Sequence, residues 1–199
     1  MNLARVMENT LVYRLWQAPF VDEKFAPIAA HNDLSRVRRV LDVGCGPGTN
    51  AANFQHADYV GIDMNPSYIE HARSKFGRTF IAADVTQYRV APDERFDVIL
   101  LNSLLHHIDL EGVEELLAHL ATLLTDDGHI HIIELVLPEE ASLARFLARA
   151  DRGDYPRSMS EWERIFSGSF EPVVLEPFTL RRAGVDLWRL VYFKGRAKR

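Results

Sequence analysis

The 199-residue chain has one cysteine, Cys45, no excess of positive charge and no apolar run long enough to span a bilayer. A single thiol excludes an intramolecular disulfide and a zinc cluster of thiols, so nothing calls for an oxidising compartment. With 23 Lys and Arg against 28 Asp and Glu, the formal charge of −5 argues against a strongly nucleic-acid-binding surface. Lys194, Arg196, Lys198 and Arg199 make a small basic tail, read most simply as solvated. Met1 to Thr10 mixes charges of both signs and lacks the apolar segment of a leader. The expectation is a soluble, cytoplasmic protein with no membrane partner.

Apolar side chains make up 47% of the chain, enough for one sizeable core, and the length is too short for two. We therefore expect one domain over 1–199. Its apolar runs alternate with helix-like segments, the pattern of a parallel sheet covered on both faces. Strands are predicted at 37–43, 59–63, 79–82, 96–102 and 129–137, and helices at 51–55, 66–76, 110–124, 138–152 and 158–166. Residues 153–156 break the pattern as a loop. Two further strand-like runs, 173–181 and 187–194, are joined by a link too short for a crossover helix, so they pair as an antiparallel hairpin. The fold class is α/β: a doubly wound sheet, mostly parallel, with one reversed strand at its end. Residues 1–35 read as N-terminal helices acting as a lid or as packing, 36–137 as a ligand-binding core, and 138–199 as substrate-side helices and the hairpin.

"VLDVGCGPGTNAANF", from Val40 to Phe54, sits where a parallel strand ends and a helix begins, the place where open α/β sheets bind ligands. Gly44, Gly46 and Gly48 allow a tight turn and a close approach of ligand to main chain. A dinucleotide fingerprint needs its third glycine one position later, where Thr49 stands. Asp42, just before the turn, opposes a diphosphate but suits a ligand with a cationic reactive end, an ammonium or a sulfonium. Asp63 in "VGIDMNP" lies at the distance of an acid that accepts hydrogen bonds from both ribose hydroxyls. Asp84 in "IAADV" is placed to accept from an adenine amino group while the Val85 amide donates to the ring. Each acid taken alone also suits a helix cap or loop, but three at successive strand ends point to a nucleoside.

"VLDVGCGPGTNA", "VGIDMNPSYIEHAR", "FIAADV", "FDVILLNSLLHHI" and "LLTDDGHIHIIE" resemble, in order over about residues 37–137, the motifs of the class I S-adenosylmethionine-dependent methyltransferases. The resemblance implies a Rossmann-like seven-stranded sheet with a reversed last strand. It implies that the cofactor is S-adenosyl-L-methionine, held by the loop atoms of Gly44, Cys45 and Gly46, by Asp63 and Met64 at the ribose, and by Asp84 and Val85 at the adenine. Asn102 then faces the methionyl group and the substrate, and Tyr13 belongs to an N-terminal helix that closes over the cofactor.

Transfer of an activated methyl group asks the protein mainly to align a nucleophile and exclude water. An acceptor that must lose a proton needs a base, and His106 or His107 in "NSLLHHID" is the candidate to orient or deprotonate it. The alternative is that one imidazole packs under the next helix and the other caps the Asp109 turn. His129 and His131 read as ordinary strand residues, and no ligand spacing suggests a metal. The chain lacks the proline-aromatic motif that base methylases carry after strand four, which disfavours nucleic acid. The expected activity is methylation of a small-molecule acceptor. Alternatives are a protein or RNA methyltransferase and a non-catalytic S-adenosylmethionine-binding module, with a nicotinamide-dependent oxidoreductase disfavoured by the glycine spacing and Asp42.

Overall fold

In a computed structural model, which describes residues 20–89, 91, 94–151 and 153–198, seven strands form one sheet in the order β3-β2-β1-β4-β5-β7-β6. They are β1 Arg39–Val43, β2 Asp58–Asp63, β3 Thr79–Ala82, β4 Phe96–Asn102, β5 Leu124–Leu135, β6 Phe170–Arg182 and β7 Val185–Ala197. The β1-β2, β2-β3, β1-β4 and β4-β5 pairs are parallel, whereas β7 inserts antiparallel between β5 and β6. The reversed strand is thus the last in sequence, as the short hairpin link requires. The N-terminal residues 1–19, including Tyr13 and Trp16, lie outside the described residues.

Among the described residues the helices are α1 Val21–Ala30, α2 Pro66–Phe76, α3 Leu110–Ala121, α4 Leu143–Ala150 and α5 Met159–Ser169. All but α1 begin at a side chain that serves otherwise unpaired amides. Asn65 accepts from the amides of Ser67 and Tyr68 ahead of Pro66, and Gly77 stops α2 in the left-handed conformation at φ 61°. Asp109 caps α3 through Gly112 N, and Ser158 and Glu161 form a reciprocal capping box on α5. The apolar centre of β4 is buried on both faces, which is why it reads as a continuous run. One core cluster packs Leu117, Trp162 and Phe166 against the sheet, and the other packs Ile28, Phe54 and Tyr59.

Three of the differences from expectation have a local cause. The helix at 51–55 is a 3₁₀ turn, Thr49–Asn53, because Asn50 turns inward and donates to Asp42 Oδ2 at 3.1 Å. Asp126-Asp127-Gly128 does not end a helix; α3 stops at Ala121, and these residues bulge within β5, where Leu124 pairs with Phe96 and His129 already with Val98. The helix at 138–152 shortens to Leu143–Ala150, since Ser142 caps it and Arg145 turns back to the carbonyls of Pro138 and Glu139. No helix among the described residues is long and apolar enough to cross a membrane.

Candidate active site

The chain leaves β1 toward β2 on one side and returns to β4 on the other, so the carboxyl ends of β1 and β4 flank a topological switch point. The glycine loop sits there. Gly44 N and Cys45 N both donate to Ile62 O, at 2.8 and 2.9 Å, which pins the loop to β2. Gly44 has φ 73°, and a Cβ there would stand 2.9 Å from Leu104 Cδ1; Gly48 has φ 77°, and a Cβ would meet the Phe80 ring at 2.9 Å. Both positions therefore need glycine on conformational and steric grounds. Burial pushes the Cys45 thiol up, with the charges of Asp42 and Asp63 adding to it, so it stays protonated and packs as a small side chain.

Of the three acids, Asp63 alone lines the cleft that opens at this point. Its Oδ2 accepts from Gly46 N at 2.9 Å and its Oδ1 from Asn65 N at 2.8 Å. Each carboxylate oxygen has a second lone pair, so both can still accept from a diol. Asp42 is wholly buried beneath the loop, where Tyr59 and Asn50 donate to Oδ2. Burial raises its carboxyl to about 6 against those two hydrogen bonds. Among the described residues its Oδ1 has no hydrogen-bond partner, and it has no exposure. Asp42, expected to suit a cationic ligand, thus lies under the loop and outside the cleft lining. Asp84 is exposed and closes its own turn on Thr86, Val85 packs against the core, and Met64 is 75% exposed. These three stand beside the cleft at the ends of β2 and β3, outside its lining.

The cleft holds about 1180 Å³ of empty space, counting its open mouth. Its opposite wall is Asn102, Ser103, Leu104, His106 and His107 after β4, with Lys24 from α1, Asp151 after α4, and Trp188 from β7. Ser103 holds a left-handed φ of 57° although it is not glycine, a conformation that turns the chain sharply at the end of β4. His106 is buried, with Nδ1 2.7 Å from Glu134 Oε2 and Nε2 3.2 Å from Asp151 Oδ2. Burial alone would lower its pKa, but Glu134 and Asp151 prevail and raise it to about 9. Glu134 Oε1 also accepts from the amides of Leu104 and Leu105, at 2.7 and 2.6 Å, and Glu134 is held below the usual carboxylate range: burial opposes this, but the His106 charge and these hydrogen bonds outweigh it.

His106 is therefore an imidazolium with both N–H groups committed to carboxylates, and no ring nitrogen is left to accept a proton. This corrects the expectation of His106 as a base. His107 lines the cleft and is exposed. His131 is buried at Tyr192, with Nδ1 2.9 Å from its hydroxyl, and is kept neutral mainly by burial. Sequence reasoning missed Lys24, Asn50, Glu134 and Asp151. Glu134 alone carried a signal, a carboxylate inside the apolar run "HIHIIEL", since a charge in a buried strand needs partners. Among the described residues no group of three or more His, Cys, Asp or Glu side chains is arranged to hold a metal.

An open cleft at the switch point, with a bare loop and an acid at the end of β2, defines a nucleoside-binding α/β protein. Residues 40–128 match the family described as "Methyltransferase domain". A trans-aconitate 2-methyltransferase of Methylobacterium radiotolerans is 29% identical over 188 residues, 87% of this chain and 69% of that protein. One of Escherichia fergusonii is 33% identical over 117 residues, 55% of this chain and 45% of that protein. The chain thus spans from less than half to about two thirds of the length of these relatives. N-methyltransferase NodS of Bradyrhizobium japonicum, in complex with S-adenosyl-L-homocysteine, superposes with a TM-score of 0.72 at 20% identity, over 97% of this chain and 96% of that one. These likenesses support reading the chain as a class I S-adenosylmethionine-dependent methyltransferase.

The residues fit the cofactor on two observations. Asp63 lines the cleft beside the bare loop, and each of its oxygens accepts one backbone amide and keeps a lone pair. Among the described residues Asp42 Oδ1 is a buried carboxylate oxygen lacking a donor, so its charge is left to act on a cationic ligand through the loop above it.

Proposed function

We propose that the chain methylates a small-molecule acceptor held between the glycine loop and the β4 end. The observation that carries this is that Asp63 with the loop, and Asn102 with Ser103 and His107, line opposite sides of one cleft. S-adenosylmethionine bound there supplies a methyl group activated by its sulfonium. Asp63 accepts from the ribose hydroxyls, with Met64 flanking it. Asp84 and the Val85 amide frame the adenine, Gly44, Cys45 and Gly46 let the methionyl part approach the main chain, and Asp42 complements its positive charge from below. Asn102 orients donor and acceptor by its amide, Tyr13 belongs to a lid over the cleft, and His107 is the remaining histidine to orient an acceptor.

His106 acts through others: clamped by Glu134 and Asp151, it fixes the wall against which the acceptor lies. Apolar Phe20, Leu135, Leu180 and Leu190 exclude water from that end. The acidic net charge favours a small molecule over a nucleic acid. Release of S-adenosylhomocysteine on incubation with small-molecule acceptors, trans-aconitate included because the relatives are named for it, tests the proposal. Turnover of a small molecule without added divalent metal is expected; methylation confined to protein or RNA substrates would contradict it.

A further inference from the structure

Asn50 reaches from the cleft lining down to Asp42, and Tyr59 reaches it from β2; both donate to Oδ2, the Asn50 bond at 3.1 Å. The two donors share one oxygen and leave Oδ1, wholly buried, with none among the described residues. Among the described residues the other groups that face Asp42 supply no counter-charge. Asp63 at the end of β2 has the same sign, the Cys45 thiol of the loop stays protonated, and β4 sets Leu100 beside it.

Resting on the methyltransferase reading, we propose that Tyr59 and Asn50 are positioning residues for the methyl donor: they hold Asp42 ionised beneath the glycine loop, as counter-charge to the donor's cationic amino-acid end. Burying a carboxylate strips it of water, and two hydrogen bonds to a single oxygen offset only part of that cost. A cationic group arriving above the loop offsets more of it, so the buried charge is most stable when the donor is bound. Neither Tyr59 nor Asn50 needs to touch the cationic group for this; each acts through Asp42.

The state of Asp42 gives the proposal a pH signature. Burial raises its carboxyl to about 6, against the Tyr59 and Asn50 hydrogen bonds, which lower it, and Asp63 raises it further. Burial and the adjacent Asp42 hold the Tyr59 hydroxyl well above the usual phenol range, against a smaller opposing pull from Arg78, so it remains a donor. The charge that attracts the donor is thus present above about pH 6 and lost as pH falls through it. Affinity should fall with it on the order of 10-fold, the size of one charge pair acting across the loop. For the free protein the sign is opposite: a carboxyl raised in the fold stabilises it fully below the ordinary 3.8, and that contribution is lost as pH rises through about 6.

Calorimetric titration with S-adenosylhomocysteine between about pH 5 and 8 tests this, with 5′-methylthioadenosine, which keeps the nucleoside and lacks the ammonium, as control ligand. The parent protein should lose about 10-fold in affinity for S-adenosylhomocysteine as pH falls through 6, and its affinity for 5′-methylthioadenosine should not follow. Tyr59→Phe keeps the ring and removes one hydrogen bond to a charged group, so the midpoint should rise by about 1 pH unit or more. Asn50→Ala should raise it likewise, and carries the test alone if Tyr59→Phe does not fold. Asp42→Asn should bind S-adenosylhomocysteine about 10-fold more weakly than the parent at neutral pH and show no midpoint near 6, which separates Asp42 from His107 in the same cleft. A parent affinity that does not change with pH, a midpoint unmoved in the folded variants of Tyr59 and Asn50, a decline that persists in Asp42→Asn, or an equal decline for 5′-methylthioadenosine overturns the proposal. No binding of S-adenosylhomocysteine by the parent at any pH would instead overturn the methyltransferase reading.

Discussion

Single side chains set the chemistry of this cleft by what they are already bonded to. His106 illustrates this: a histidine beside a cleft suggests a base, but two carboxylates turn it into a fixed donor. Its folded pKa of about 9 lies above the ordinary 6.5, so its stabilisation is complete below pH 6.5 and is lost as pH rises through about 9. A shift of that size corresponds to roughly 3 kcal/mol. On the acid side, the lowered Glu134 keeps its contribution above 4.5 and loses it as pH falls through its folded value. Urea denaturation of the parent protein should show stability declining between pH 6.5 and 9. His106→Leu should cost about 3–5 kcal/mol at neutral pH, because Glu134 stays buried without its counter-charge, and should flatten that decline. Equal slopes for both proteins would refute the coupling. Asp63→Ala should weaken S-adenosylhomocysteine binding by about 1–3 kcal/mol, the loss expected when a charged acceptor is removed. Unchanged affinity would remove Asp63 from the ribose site.

Between elements, the 151–157 segment is clasped to the turn after β4. Tyr155 N donates to His106 O at 3.0 Å, and Arg157 donates to the carbonyls of Leu105 and Ile108 at 2.9 and 2.8 Å. Gly153 lies in the seam, where a Cβ would collide with His106 Cδ2 and stand 2.7 Å from His106 O. Gly153→Ala should therefore destabilise by about 1–3 kcal/mol, the range for an overpacked site. Gly168→Ala in α5, where a Cβ meets nothing within 4 Å, should be neutral or stabilise by up to about 1 kcal/mol. Comparable losses in both would mean that the clasp does not constrain the turn. None of this was legible in "RGDYPRS", which reads only as a broken pattern: steric contact with a residue nearly fifty positions earlier leaves no local mark. The termini of α2, by contrast, were legible because Pro66 and the helix stop act within a few residues.

At the scale of the molecule, the order of strands and the reversal of β7 follow from two features visible in sequence: alternating apolar runs, and a hairpin link too short to cross over. The bulge at 125–128 was not visible, since Asp-Asp-Gly is as good a helix stop as a bulge, and only the pairing of β5 with β4 decides between them. The site divides in the same way. The glycine loop and Asp63 are local motifs of the sheet's leading edges, whereas Lys24, Glu134 and Asp151 come from three separate elements that only the assembled sheet brings to one wall. The proposed cofactor side therefore belongs to the legible part and the wall after β4 to the other. Calorimetric titration of the purified protein with S-adenosylhomocysteine and, separately, with NADH tests the central claim most directly. The account predicts saturable binding of S-adenosylhomocysteine and none of NADH; binding of NADH with no detectable binding of S-adenosylhomocysteine would contradict it.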